Sequence, residues 1–265
     1  MIGAGVRTTI WKAMRHYAVG DDVACLRGLL PAGLVPNQRQ ADALLRELAR
    51  SPELLAAVDT PESRRFDQAT PSLDAATRLE HQLALGGAGR GRAVLLYMTA
   101  RILKPETVIE TGCFTGWDSA VLLHALDRNG SGHLYTVDLP AREGQFSQHG
   151  RSSGLPGGLR PGFLVPMSFR DRWTFIEGNV RTELMPLLDR LDGVGLFLHD
   201  SEHTYAHMMW EYAAVLPHML DGGVIVSDDI AWNTAFWDFA AATGRRCVIH
   251  RSNPNVGALA VRRAA

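Results

Sequence analysis

From residue 93 onward the chain alternates short apolar runs with amphipathic stretches, and this alternation restricts the fold more than any other feature. AVLLYMTARIL (93–103) reads as a helix ended by Lys104-Pro105, and TVIE (107–110) as a short buried strand. The helix WDSAVLLHAL follows, then the strands HLYTVDL (133–139) and WTFIEGN (173–179). TELMPLLDRL is helical, VGLFLHD (194–200) is a fourth strand, and HTYAHMMWEYAAVLPHML is a long helix. GGVIVSDD (222–229), the helix TAFWDFAAATG and the strands CVIHR and VGALAVRR complete the pattern. Apolar strands separated by helices imply a parallel sheet covered on both faces. SNPN, which joins the last two strands, is too short for a crossover, so that pair is antiparallel. The expected fold class is α/β: a doubly wound, Rossmann-like, mostly parallel seven-stranded sheet with an antiparallel last strand.

The first ninety residues follow a helical rhythm instead. Asn37 suits the cap of a helix carrying Leu44, Leu45 and Leu48, and Ser51-Pro52-Glu53 is a cap with proline and an acid in the first turn. Another amphipathic stretch over 71–85 ends in GGAGRGR (86–92). No catalytic constellation gathers there. Residues 1–90 are expected to form a helical cap or an oligomerisation element, with homo-oligomer contacts through these helices, and residues 91–265 the main domain. Between the second and third strands, residues 141–171 hold six glycines and three prolines. So long a connection inside a domain is functional or disordered, and a lid over the site is the favoured reading.

Composition narrows the partners. Lys plus Arg number 27 against 28 for Asp plus Glu, which gives no basic surplus for nucleic acid or an anionic membrane. Three widely spaced cysteines, Cys25, Cys113 and Cys247, form no CxxC pair, and the N-terminus does not read as a signal peptide. A cytoplasmic protein acting on a small molecule is expected, since no apolar run reaches the roughly 20 residues of a membrane span.

In a doubly wound sheet, ligands bind beyond the carboxyl ends of the strands. There Glu110-Thr111-Gly112-Cys113-Phe114-Thr115-Gly116 turns from the first strand into a helix, and its glycines let backbone approach a ligand. The spacing is not the G-x-G-x-x-G of dinucleotide dehydrogenases, which leaves an NAD enzyme a distant alternative. Asp138, at the tip of the second strand, suits the hydroxyls of a ribose; the alternative is a solvated strand end. Glu177-Gly178-Asn179 puts polar groups where an adenine edge can be read. Asp200 ends the fourth strand and Asp228-Asp229 the fifth, so three carboxylates converge near His203. Such crowding calls for a proton or a cation, and an all-oxygen donor set favours Mg²⁺. The plainer reading is that Asp200 and Asp229 are helix caps and His203 a satisfied histidine at a helix start.

In order, VIETGCFTGWDSAVLL, LYTVDL, FIEGN, LFLHDSEHTYAHMMWEY and DGGVIVSDDI resemble the class I S-adenosylmethionine-dependent methyltransferases, and among them bacterial methyltransferase family 24. The resemblance spans about residues 93–265 and implies an S-adenosylmethionine site. The Glu110–Gly116 loop, with Gly112 and Gly116, would lie under the methionine end of the cofactor, and Ser119 would hold its carboxylate. Asp138 would take the ribose, with Gly178 and Asn179 flanking the adenine. Metal-dependent O-methyltransferases of the catechol and macrolide-sugar types carry aspartates matching Asp200, Asp228 and Asp229, with a base at the position of His203. The resemblance therefore implies a Mg²⁺-assisted O-methyltransferase acting on a natural-product sugar or phenol. The alternatives are a metal-independent N- or C-methyltransferase and a non-catalytic cofactor-binding protein.

Overall fold

Successive side chains along a strand point to opposite faces, which sorts the apolar residues into two layers. In a computed structural model, which describes residues 20–66, 74–84, 92–140, 155 and 158–262, seven strands form one sheet. They are β1 (Thr107–Thr111), β2 (His133–Asp138), β3 (Trp173–Glu177), β4 (Val194–His199), β5 (Met219–Ser227), β6 (Cys247–Ile249) and β7 (Gly257–Ala260). Their order is β3-β2-β1-β4-β5-β7-β6. The first five are parallel; β7 runs antiparallel to both β5 and β6, as the short SNPN connection requires. β4, with all six residues buried, lies at the centre.

Ten helices appear among the described residues: α1 (residues 20–29), α2 (Gln38–Ala49), α3 (Pro52–Ala57), α4 (Pro61–Phe66), α5 (Ala75–Ala84), α6 (Arg92–Leu103), α7 (Trp117–Asn129), α8 (Val180–Leu188), α9 (Tyr205–Val215) and α10 (Ala235–Thr243). Val108, Leu196, Leu198, Val224 and Val226 point to one face and pack with α1, α2, α3, α6 and α7. Their neighbours Ile109, Phe197 and Ile225 point to the other face, against α8, α9 and α10. Leu45, Leu48 and Leu54 of the N-terminal helices share the first of these cores with Leu95 and Val121, so their apolar faces turn inward onto the sheet domain. Glu47 of α2 ties this contact by accepting from Arg101 of α6 at 2.8 Å. Asn37 caps α2 in a reciprocal box with Gln40, and Ser51 caps α3, as the sequence suggested.

Two boundaries differ from the sequence reading. The helix expected through Leu220 stops at Val215, because Pro217 cannot continue it; a 3-10 turn follows, and β5 starts early at Met219. The lid expected over 141–171 lies in its first half outside the described residues. The stretch 158–171 is anchored: Gly162 N donates to the Phe114 carbonyl and Leu164 N to the Thr115 carbonyl, each at 2.9 Å. No helix of the described residues is long and apolar enough to cross a membrane.

Candidate active site

The parallel register lines up the carboxyl ends of five strands, β1 to β5. Gly112 N donates to Val137 O, Gly178 N to Asp138 O, Asp200 N to Thr111 O and Asp228 N to His199 O, all at 2.8–3.0 Å. The chain reverses its direction of winding between β1 and β4, and a crevice for a ligand opens at such a point. Gly112 (φ +76°) and Gly116 (φ +82°) hold the turn in the left-handed region. A Cβ on Gly112 would overlap the Asp200 carbonyl, and one on Gly116 would overlap Gly162. Here glycine is required both for conformation and for close approach.

Beneath this loop, Glu110 is buried and its Oε2 accepts from Ser119 Oγ at 2.5 Å and from Thr136 Oγ1 at 2.9 Å. Burial, joined by the charges of Asp118 and Asp138, pushes the Glu110 carboxyl up to about 8 despite these hydrogen bonds. Ser119 is fully buried and its hydroxyl is directed at Glu110. The amides of Cys113 and Phe114 converge on Asp138 Oδ2, each at 2.9 Å, which fixes that carboxylate at the loop's edge. Asn179 caps α8 by accepting from Arg181 N at 2.8 Å.

The three aspartates expected to share a divalent cation are placed differently. Arg92, the first residue of α6, is buried and inserts its guanidinium among Asp118 (2.5 Å), Asp200 (3.0 Å) and Asp228. Asp228 and Asp229 diverge because β5 ends at Ser227, and Asp229 adopts φ +48°. Asp228 goes to Arg92; the carboxylate of Asp229 lies 3.7 Å from His203 Nε2. No group of three or more His, Cys, Asp or Glu side chains able to hold a metal ion occurs among the described residues. A divalent ion between Asp200 and Asp228 would face a guanidinium already neutralising them, so these residues do not fit the expected Mg²⁺ site. Burial and the neighbouring carboxylates hold Asp118 and Asp200 above the usual carboxylate range against the pull of Arg92. Burial and Asp228 push Asp229 up to about 6.

His203 stands 3.7 Å from both Asp200 and Asp229, edge-on to Trp232, at the carboxyl ends of β4 and β5. Asn233 Nδ2 donates to the His203 carbonyl at 2.9 Å, which fixes the loop that carries it. Trp232 is 46% exposed and Tyr205 45%; Tyr205 opens onto solvent beside Asp238 of α10. Met208 is fully buried.

Behind this rim lies a buried network centred on Glu211 of α9. Its Oε2 accepts from Thr111 Oγ1 at 2.6 Å and faces His199 Nδ1 at 2.8 Å; its Oε1 accepts from Ser201 Oγ and faces His207 Nε2 at 2.6 Å. Arg181 Nε donates to His207 Nδ1 at 3.2 Å. Burial alone would raise the Glu211 carboxyl, but the charge and hydrogen bond of His199, with those of His207, outweigh it and hold Glu211 below the usual carboxylate range. His199 and His207 therefore brace the ends of β1, β4 and α9, while Glu202 is exposed, accepts from Thr204 and lies 3.7 Å from His207 Nδ1.

Residues 109–230 match the model of methyltransferase family 24, described as a methyltransferase domain. Together with the strand order, the match defines the class: an S-adenosylmethionine-dependent methyltransferase of class I. The fold is shared with cofactor-bound Rv0187 from MTB, at 16% identity, 86% of this chain, 99% of that one and a TM-score of 0.53. It is also shared with the O-methyltransferase TomG of Streptomyces achromogenes, involved in tomaymycin synthesis and solved with SAM. That pair has 16% identity, covers 81% of this chain and 91% of TomG, and has a TM-score of 0.50. No protein of curated function matched the chain.

Proposed function

We propose that the chain transfers a methyl group from S-adenosylmethionine to a hydroxyl of a small molecule, a natural-product sugar or phenol, with His203 as general base. The single observation that carries this reading is the place of His203: at the strand ends, between two carboxylates, beside the exposed ring of Trp232. Methyl transfer is an in-line displacement, so the acceptor oxygen must be held near the sulfonium methyl and must shed its proton. An imidazole at Nε2 can take that proton, and Asp229 facing the same atom stabilises the imidazolium that results. Trp232 offers a flat apolar wall for an aromatic or sugar ring.

For the cofactor, Glu110, Gly112 and Gly116 form the bed of the methionine end, Asp138 takes the ribose hydroxyls, and Gly178 and Asn179 flank the adenine. Ser119 acts through Glu110, whose ionised form it stabilises by hydrogen bonding. A carboxyl held as high as Glu110 is drawn toward ionisation by the cationic cofactor. The surplus of carboxyl groups around Arg92 likewise favours a sulfonium over a neutral ligand.

The reading is tested by incubating the protein with methyl-labelled S-adenosylmethionine and a panel of phenols and sugars in EDTA. Label is expected on free hydroxyl acceptors and not on the same compounds with that hydroxyl already methylated. Label on amines or carbon nucleophiles alone would favour an N- or C-methyltransferase instead.

A further inference from the structure

We infer that Arg92 is a resident cation of the acceptor site, a positioning residue whose guanidinium occupies the place of the divalent ion that the rim aspartates would otherwise gather. This inference rests on the reading of the rim as a methyltransferase acceptor site. The chemistry itself argues that Arg92 is held there on purpose. It is the first residue of α6, where the positive end of the helix disfavours a cation. Burial opposes its charge as well, and the residues after it in the helix, Ala93–Ala100, are all buried. Asp118, Asp200 and Asp228 overcome both costs and hold the guanidinium firmly protonated. Those carboxylates come from the first turn of α7 and from the residues that directly follow β4 and β5, so Arg92 ties α7 to both strand ends that carry the acceptor chemistry.

A second observation marks the same place as a cation site. Asp118 Oδ1 and Asp228 Oδ1 are buried with no hydrogen-bond partner among the described residues, so each aspartate has an oxygen to spare after meeting Arg92. Remove the guanidinium and three carboxylates remain around a space with unused oxygen donors, the donor set a hard divalent ion takes. A single planar cation, always charged, sets Asp200 and Asp228 in place without a bound ion and independently of ion supply. Arg92 also belongs to the helix that packs against α2 and α7, which couples the N-terminal helices directly to the rim.

Manganese titration followed by the electron paramagnetic resonance of the free ion tests this without acceptor or turnover, so its outcome is separate from that of the methyl-transfer assay. The wild-type chain is expected to leave the Mn²⁺ signal undiminished. Arg92→Ala, and Arg92→Met, which keeps the volume should the alanine variant fail to fold, are expected to remove about one equivalent of free Mn²⁺ per chain. Adding Asp228→Asn should abolish that uptake, and excess Mg²⁺ should compete for it. Wild-type uptake that Asp228→Asn removes would overturn the inference, as would a folded Arg92 variant that ignores the ion.

Discussion

Replacing His203 with alanine is expected to lower kcat by roughly 10²–10⁴ and leave affinity for S-adenosylhomocysteine unchanged. The size follows from the role: a base contributes in the transition state, so its loss falls on kcat and kcat/KM together rather than on KM. The selectivity follows from position. His203 sits beyond β4, one side of the crevice away from Asp138 and Asn179 at the ends of β2 and β3, and its backbone is pinned independently by Asn233. Trp232 and the two flanking aspartates remain in the variant, so the acceptor pocket keeps its walls. Steady-state kinetics beside calorimetric titration of the product cofactor separates the two effects. Turnover close to wild type would remove His203 from the chemistry.

Glu211→Gln is expected to produce the largest loss of stability, roughly 3–5 kcal/mol, because it leaves buried groups facing an amide that cannot satisfy them. Four donors converge on the two carboxylate oxygens: Thr111, His199, Ser201 and His207. Glutamine keeps one acceptor oxygen and turns an NH₂ toward donors on the other side. Urea unfolding at constant m-value measures the difference, and a loss below about 1 kcal/mol, the size of one ordinary hydrogen bond, would contradict the assignment. The pH dependence has a definite sign. Glu211 is held below its ordinary range when folded, so its contribution is fully present above the unfolded carboxyl value of about 4.3 and is lost as pH falls toward the folded value. Wild-type stability should therefore decline more steeply on the acid side than that of Glu211→Gln.

The sequence made the sheet legible because strand and helix periods differ so plainly. VGLFLH could be nothing but a central strand, and SNPN left no room for a crossover before β7. The rim was legible for the same reason: once the strands are placed, Asp138, Asp200 and Asp228 must fall at their carboxyl ends. What the cluster does with its charge was not legible. Arg92 reads as the tail of a glycine-rich break, and Asp118 as an ordinary acid in a first helical turn; each has a sufficient local explanation, and only the packing of α6 on α7 brings them together. The one signal was an arginine directly before the apolar run AVLLYM. His199 and Glu211 were hidden differently. They lie 12 residues apart on a strand and a helix, and nothing in LFLHDSEHTY says that one histidine turns inward while another faces the rim. Adjacent Asp228 and Asp229 part company at a strand end, a divergence that spacing alone leaves open.

Calorimetric titration with S-adenosylhomocysteine in EDTA tests the central claim most directly, that this crevice is a methyltransferase cofactor site that works without a metal ion. Binding of one equivalent per chain is expected, weakened at least about tenfold by Asp138→Ala, the loss of roughly 1.4 kcal/mol for a charged hydrogen bond to the ribose. Absence of binding heat in the wild-type chain, or binding that Asp138→Ala leaves intact, would contradict it.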